Sequence, residues 1–145
     1  LSWRTILHKR ENFRRAFSNF NPKIIAKYDS KKIKSLMNDS GIIRNRLKIE
    51  GAVKNAKVFL EAQKEFGSFD KYIWQFTPTL MYEHGGEPAM RSSNPESDAM
   101  SHDLKKRGFT FVGSTICYAY MQGAGIVNDH LVSCFRHKEV KNDSK

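Results

Sequence analysis

Two residues near the end of the chain, His130 and Cys134, are of types that bind metal ions. A spacing of four places both side chains on one face of a helix. A neutral imidazole and a thiolate are good zinc ligands, with bond lengths of roughly 2.0–2.3 Å, but a structural zinc site needs about four ligands. The spacing therefore leaves two interpretations open, half of a zinc site or a partly buried His beside an inert Cys.

A second group of residues has the chemistry to hold a phosphate. Residues 33–60 have the pattern of a helix, a tight turn at Gly41 and a second helix. Such a hairpin can offer backbone N–H groups to a phosphate oxygen without reading sequence. The candidate DNA-binding residues at this turn are Gly41, Ile42, Ile43, Arg44, Arg46 and Lys48. DNA-binding hairpins usually carry Gly-hydrophobic-Gly, and this turn has one glycine, so an ordinary helical corner on a solvated basic face is the alternative.

The distribution of charge favours a polyanionic partner. The chain carries 25 Lys and Arg against 15 Asp and Glu, a formal net charge of +10. Residues 1–66 hold 16 of the basic and 6 of the acidic side chains, so the whole excess lies in the first half. A one-sided excess of this kind is typical of an electrostatic footprint on nucleic acid. A surface that only keeps the protein soluble is the other interpretation.

Aromatic residues provide one further candidate. Trp3, next to Arg4, is suited to stack on a base, which contributes about 1–3 kcal/mol per base, although a single Trp is more often a core anchor. Trp74 and the phenylalanines are assigned to the core. Helix caps account for the polar residues near the most apolar helix (Ser114, Thr115 and Asp129). The pattern contains no nucleophile–base pair, paired carboxylates or phosphate-binding glycine loop, so it identifies no catalytic residue.

Helical periodicity dominates the elements that must position these residues and predicts an all-α protein. The predicted helices cover residues 2–18, 23–28, 30–39, 45–66, 69–76, 96–107 and 116–122. Residues 77–95 hold three of the four prolines and two adjacent glycines, which predicts a long surface loop. We expect one helical domain over residues 1–135 and a basic tail at 136–145.

Composition excludes several classes of protein. No run of 18 apolar residues is present, so a membrane span is not expected. The first residues do not have the pattern of a signal peptide. Two cysteines, Cys117 and Cys134, do not make a disulfide framework, which favours a reducing, intracellular compartment where DNA is kept. The chain has no initiator Met and opens within a helical pattern, which predicts that it is a fragment.

Several blocks of the sequence together resemble the DNA-3-methyladenine glycosylase I family. The longest covers residues 104–118 and reads LKKRGFTFVGSTICY. It is followed by Met121-Gln122 and by Gly125-Ile126-Val127-Asn128-Asp129-His130. The first half adds Leu1-Ser2-Trp3, Lys9-Arg10-Glu11-Asn12-Phe13-Arg14, Ser40-Gly41-Ile42-Ile43-Arg44 and Lys48-Ile49. The resemblance covers residues 1–135 and fails mainly at 77–95.

The resemblance implies the helix-hairpin-helix glycosylase fold and hydrolysis of the N-glycosidic bond of 3-methyladenine in alkylated DNA, the first step of base excision repair. Such enzymes flip the damaged nucleotide into a pocket at a cost of a few kcal/mol, and an electron-rich aromatic face suits the cationic base. Trp3 matches the family's stacking Trp, and Leu1 belongs to the segment that approaches the lesion. His130 and Cys134 match two of the four ligands of the family's structural zinc.

The sequence also departs from the family pattern. In the family, a further N-terminal stretch supplies the other Cys and His ligands and the Glu that recognises the base, and these 145 residues do not contain it. We therefore expect weak zinc binding and poor excision by this chain alone. Alkylated double-stranded DNA is the expected partner of a monomer. A non-enzymatic helix-hairpin-helix DNA-binding module is the main alternative, and a pseudo-enzyme whose basic face serves only solubility is another.

Overall fold

A computed structural model of the chain describes residues 2–78 and 91–143, and helices form its regular structure. Within these ranges no strand occurs, which confirms the all-α prediction, and no helix is long and apolar enough to cross a membrane. Short 3₁₀ turns lie at Ser18–Phe20 and Trp74–Phe76. The α-helices are α1 (Trp3–His8), α2 (Arg10–Ala16), α3 (Pro22–Ile25), α4 (Ser30–Asn38), α5 (Arg46–Phe66), α6 (Phe69–Ile73), α7 (Pro95–Arg107), α8 (Ser114–Ala124) and α9 (Phe135–Asp143).

Local capping chemistry explains where most of these helices begin and end. The Asn21 side chain accepts a hydrogen bond from the Lys23 N–H at 3.0 Å, ahead of α3. The Asp29 carboxylate accepts one from the Lys32 N–H at 2.8 Å, ahead of α4. Helix α5 ends at Gly67, which has a φ of 81°. Because caps of this kind satisfy the unpaired groups at helix ends, these boundaries follow from the sequence.

One predicted helix is wrong. The single helix expected over residues 2–18 is two helices that meet at Lys9. Helix α1 buries no residue, whereas α2 leads into the core, so packing rather than periodicity sets the break. The basic tail expected at 136–145 stays a prediction, and the structure adds that α9, which the sequence did not predict, covers most of it. The predicted loop at 77–95 lies mainly outside the described residues.

The chain forms two compact units, and the first contains Leu1–Ser68 together with Gly108–Phe111. Its core is formed by buried side chains of α2 to α5 and of the segments that connect them, among them Phe17, Ile25, Leu36, Ile42, Ile49 and Val53. The short second segment is held by Asn55 of α5, whose amide donates to the Thr110 carbonyl at 2.9 Å and accepts from the Thr110 N–H at 2.8 Å. A Cβ at Gly51 would come within 2.8 Å of the Phe111 ring, so this contact requires glycine.

The second unit contains Phe69–Arg107 and Val112–Lys145. Its buried side chains include Met100, Leu104, Met121 and Ile126. Helices α6 and α7 are joined by a polar cluster in which the Tyr72 hydroxyl and the Arg107 Nε both donate to the Asp103 carboxylate at 2.8 Å. The Arg107 guanidinium also lies 4.9 Å from the centre of the Tyr72 ring. The prediction of one domain over residues 1–135 stays a prediction.

This cluster makes the stability of the second unit depend on pH. Burial opposes ionisation of Asp103, but the hydrogen bonds from Arg107 and Tyr72 prevail and lower the pKa of the carboxyl below its ordinary value of 3.8. Burial, followed by the neighbouring Asp103 carboxylate, raises the pKa of Tyr72. A lowered carboxyl pKa stabilises the fold at pH values above 3.8, and this contribution disappears as the pH falls through the lower pKa of the folded state.

We therefore expect Asp103→Asn to cost about 1 kcal/mol of the free energy of unfolding near neutral pH, because the carboxylate is partly exposed and its hydrogen bonds are charge-assisted. The cost should shrink as the pH is lowered, since the wild-type carboxylate also becomes protonated. Thermal unfolding followed by circular dichroism over acid and neutral pH measures both effects. Glu139→Gln, which removes the exposed Arg136 pair, is the control and should have little effect. An equal cost of Asp103→Asn at every pH would contradict this account.

Candidate nucleic-acid interface

The turn between α4 and α5 is built by Asp39. Its carboxylate accepts a hydrogen bond from the Gly41 N–H at 2.7 Å, and its carbonyl accepts one from the Ile42 N–H at 3.4 Å. The Ile42 side chain is 3% exposed and packs in the core of the first unit. The Asn45 side chain then caps α5 by accepting a hydrogen bond from the Lys48 N–H at 3.1 Å. The turn is thus tied to α4, to the core and to α5.

Between Gly41 and Lys48, four backbone N–H groups have no hydrogen-bond acceptor among the described residues. They belong to Ile43, Arg44, Arg46 and Leu47, the last two in the first turn of α5. Unpaired N–H groups and the helix dipole make such a helix start attractive to an anion. The set differs from the sequence-based expectation. Gly41 and Ile42 use their N–H groups within the turn, and Leu47, which the sequence analysis missed, could have been found from its second position after the Asn45 cap.

The cationic side chains at the turn are exposed. Arg44, Arg46 and Lys48 all lie at the surface, as expected for residues that contact phosphates. Arg46 is paired with Glu50 of the same helix at 3.3 Å. A pair this exposed contributes little to stability, but its carboxylate offsets part of the Arg46 charge. Of these three side chains, Arg44 and Lys48 have no acidic partner among the described residues and offer the greater attraction to a phosphate.

Trp3 lies at the first position of α1, after Ser2, whose side chain accepts a hydrogen bond from the Thr5 N–H at 3.2 Å. Its side chain is 84% exposed, so the alternative of a core anchor is wrong for this structure. Leu1 lies outside the described residues. The assignment of all phenylalanines to the core is also too broad, since three of them are at least half exposed: Phe20, Phe111 and Phe135.

His130 and Cys134 come together in a turn rather than on a helix. The segment between α8 and α9 is not helical, so the helical premise behind their spacing is wrong. The Cys134 Sγ nevertheless lies 3.8 Å from the His130 Nδ1. Buried Asn128 braces this turn, because its Oδ1 accepts from the His130 N–H at 3.3 Å and its Nδ2 donates to the His137 carbonyl at 2.8 Å. The structure thus brings the two predicted ligands together by a different local geometry.

The distance between these two atoms fits a shared metal ion. Tetrahedral zinc with ordinary bond lengths separates a Cys sulfur from a His nitrogen by roughly 3.6 Å. Among the residues that the structure describes, no group of three or more His, Cys, Asp and Glu side chains is placed to hold a metal. The other cysteine, Cys117, is buried, and its thiol donates to the Val112 carbonyl at 3.6 Å. Burial raises the pKa of this thiol, which disfavours the thiolate that a metal requires.

Asp129, interpreted from the sequence as a helix cap, has another role. Its Oδ2 accepts hydrogen bonds from the Tyr118 hydroxyl and, at 2.8 Å, from the Gln122 side chain, so it joins this turn to α8. The cap of α8 is Gly113, which has no side chain to contribute. These contacts occupy Asp129 within the second unit and give no sign of a catalytic carboxylate.

Comparison with known proteins assigns the chain to a family. The sequence profile of the methyladenine glycosylase family matches residues 1–137. The chain belongs to the methyladenine glycosylase family. A DNA-3-methyladenine glycosylase from Haemophilus influenzae is 44% identical over 136 residues, which are 92% of this chain and 74% of that protein.

Solved structures agree with this membership of the methyladenine glycosylase family. The crystal structure of a 3-methyladenine DNA glycosylase I is 42% identical, has a TM-score of 0.82, and is matched over 94% of this chain and 76% of its own. A 3-methyladenine DNA glycosylase I from Staphylococcus aureus, solved to explain recognition of 3-methyladenine, is 32% identical with a TM-score of 0.82. The match covers 93% of this chain and 73% of the S. aureus chain. The helix-hairpin-helix glycosylase resemblance seen in the sequence is thereby confirmed at the level of the family.

Proposed function

We propose that this protein is a DNA repair glycosylase that hydrolyses the N-glycosidic bond of 3-methyladenine in alkylated double-stranded DNA. The observation that carries the proposal is the family match over residues 1–137, together with relatives that are named for this activity. The net charge of +10, concentrated in the first half of the chain, fits a DNA substrate. The unpaired N–H groups of Ile43 and Arg44, and those of Arg46 and Leu47 at the start of α5, fit a phosphate of the DNA backbone.

The described residues supply two parts of such a reaction. The turn before α5 holds the phosphate backbone, which fixes the position of the duplex without reading its sequence. Trp3 offers an exposed aromatic face on which a flipped, cationic base can stack. Methylation gives the adenine ring a positive charge, so cleavage of the bond to the sugar carries the electron pair to the base and releases it as a neutral molecule. Water supplies the hydroxyl group that the sugar carbon gains, and the remaining proton of that water passes to the solvent.

The proposal is tested on the natural gene product that contains this chain. DNA treated with a methylating agent and incubated with that protein should release free 3-methyladenine, which chromatography separates from the polymer. Absence of release would contradict the proposal. Binding to duplex DNA without release would support the alternative of a non-enzymatic binding module, and absence of both would support a basic surface that serves only solubility.

We also propose that His130 and Cys134 contribute two ligands to a structural zinc ion. Support comes from the 3.8 Å separation of their ligating atoms and from the brace that Asn128 provides. The resemblance to the family assigns the same two residues to its zinc. A zinc ion bound here would link the segment between α8 and α9 to the residues that provide the other zinc ligands, and this link would stabilise the fold.

A spectroscopic substitution tests the zinc pair. We expect the natural protein to bind Co²⁺ with a thiolate charge-transfer absorption that Cys134→Ser weakens, because the variant removes one of the thiolates that give this band. His130→Ala should weaken metal affinity by roughly ten- to a hundredfold or more. Cys117→Ser is the matched control and should keep the absorption, since Cys117 is buried and bonded to Val112. A band that is unchanged in Cys134→Ser and lost in Cys117→Ser would place the metal elsewhere.

A further inference from the structure

Lys9, at the junction of α1 and α2, reaches across to the turn before α5. Its ammonium donates hydrogen bonds to the Ser40 carbonyl at 2.9 Å and to the Gly41 carbonyl at 3.2 Å. These residues lie 31 and 32 positions apart in the chain. A lysine on a DNA-binding face normally extends toward phosphate, whereas this one is partly buried and uses its donors inside the protein. The role of Lys9 is therefore different from that of an exposed cation.

Asn12, one turn further along α2, binds the same peptide. Its Nδ2 donates to the Gly41 carbonyl at 3.2 Å. A Cβ at Gly41 would lie 3.3 Å from the Asn12 Cγ and Nδ2 and 2.9 Å from the Asp39 Oδ1. Gly41 does not have a positive φ, so its lack of a side chain serves the close approach of Asn12 and Asp39 rather than an unusual backbone conformation.

The two peptides of the turn are thus held at both ends. Asp39 accepts from the N–H groups of Gly41 and Ile42, while Lys9 and Asn12 donate to the carbonyls of Ser40 and Gly41. A trans peptide is planar, with its N–H and C=O on opposite sides, so bonds at both ends fix its orientation. The next N–H groups along the chain, those of Ile43 and Arg44, are unpaired among the described residues. We expect the held peptides before them to determine the direction of the Ile43 and Arg44 N–H groups.

The Lys9 ammonium also acts on the potential at the turn. Two carbonyl oxygens that converge on one point create a negative potential, which would repel a phosphate. A buried or partly buried positive charge beside them cancels that potential over the few ångströms where screening by salt is weak. Because the Lys9 ammonium contacts both carbonyl oxygens, its charge lowers the repulsion of a phosphate even though Lys9 itself does not contact the nucleic acid.

We infer that Lys9 and Asn12 are positioning residues that hold the turn between α4 and α5 in the conformation that receives a DNA phosphate. The inference rests on the proposed role of this turn in binding DNA. Neither residue was singled out for this purpose in the sequence, because contacts between positions 9 or 12 and 41 leave no local pattern.

The experiment compares variants of the natural protein in binding to an unmodified DNA duplex, measured by fluorescence anisotropy at several salt concentrations. Asn12→Leu changes no charge, and we expect it to weaken DNA binding about fivefold to tenfold. The slope of log affinity against log salt concentration should stay unchanged. Lys9→Met should weaken binding at least as much, and Lys9→Arg should restore part of the loss. Lys64→Met is the matched control, since it removes one Lys near the far end of α5, roughly 27 Å from its start, and should have a much smaller effect. Arg44→Ala removes a side chain that we expect to contact a phosphate directly. It should therefore reduce the slope of log affinity against log salt concentration by about 0.9.

A second measurement is made without DNA. Hydrogen exchange of the Gly41 and Ile42 amides should become faster in Asn12→Leu and Lys9→Met, while exchange in the core of the first unit stays the same. Asn12→Ala is the milder variant if Asn12→Leu does not fold. Variants at both positions that keep wild-type affinity and exchange would overturn the inference. If the wild-type protein itself does not bind DNA, the proposed interface is wrong, whereas faster exchange in the variants would still establish the brace.

Discussion

Gly41→Ala should weaken binding of the protein to duplex DNA by roughly fivefold to 150-fold while leaving the overall fold in place. The added Cβ would lie 2.9 Å from the Asp39 Oδ1, so the carboxylate that accepts from the Gly41 N–H has to move. It would also push on the Asn12 amide that donates to the Gly41 carbonyl. Loss or weakening of two hydrogen bonds amounts to about 1–3 kcal/mol, and in this turn it changes the conformation that binds phosphate.

Anisotropy titration with a labelled duplex measures the affinity, and thermal unfolding shows how much of the effect is general destabilisation. Gly113→Ala is the control, because a Cβ there meets no atom within 4 Å and the residue has an ordinary φ of −67°. This control should bind DNA and unfold as the wild type does. Wild-type DNA affinity in Gly41→Ala would show that the turn does not contact the backbone, or that its conformation does not matter for the contact.

The parts of the fold that the sequence predicted correctly are those decided by local chemistry. Asn21, Asp29 and Asn45 cap the helices that follow them, and each cap is recognisable from its residue type and the apolar pattern after it. The tight turn at Gly41 follows in the same way. Neighbours within four residues determine these features, so one sequence is sufficient to see them.

The features that the sequence did not predict depend on tertiary contacts. Ser18, Asn19 and Phe20 all have positive φ values, which no local pattern of these residue types indicates. The bond from Lys9 to Ser40 spans 31 residues. His130 and Cys134 show the opposite situation, in which the expected proximity is found although the helix assumed for it is absent. There the buried Asn128 holds the turn, a contact that a periodicity argument does not contain.

The resemblance to the family identifies more candidate site residues than residue spacing and periodicity alone. Without the resemblance, a single Trp such as Trp3 is more often a core anchor. Its side chain is 84% exposed, which contradicts that alternative. Exposure of the apolar indole surface to water is unfavourable. The resemblance to the family implies that a flipped base stacks on this surface. The stacking role of Trp3 therefore becomes the most direct test of whether this face carries out excision.

Trp3→Ala should lower kcat/KM for release of 3-methyladenine by roughly fivefold to 150-fold, which corresponds to the 1–3 kcal/mol that stacking of a base contributes. The free energy of unfolding should hardly change, because Trp3 is exposed and makes no hydrogen bond or ring contact within the described residues. Trp3→Phe should keep part of the rate, since a smaller aromatic face still attracts a cationic base.

The assay uses the natural protein with methylated DNA and follows released base against time, with binding to undamaged duplex measured in parallel. Leu7→Ala, which alters another exposed apolar side chain of α1, is the control and should excise at the wild-type rate. Binding to undamaged DNA should be equal in all these variants, because the phosphate contacts lie at the turn before α5. If Trp3→Ala released the base as fast as the wild type, Trp3 would not form part of the base pocket. If it instead lost affinity for undamaged DNA, its indole would contact the duplex outside the lesion.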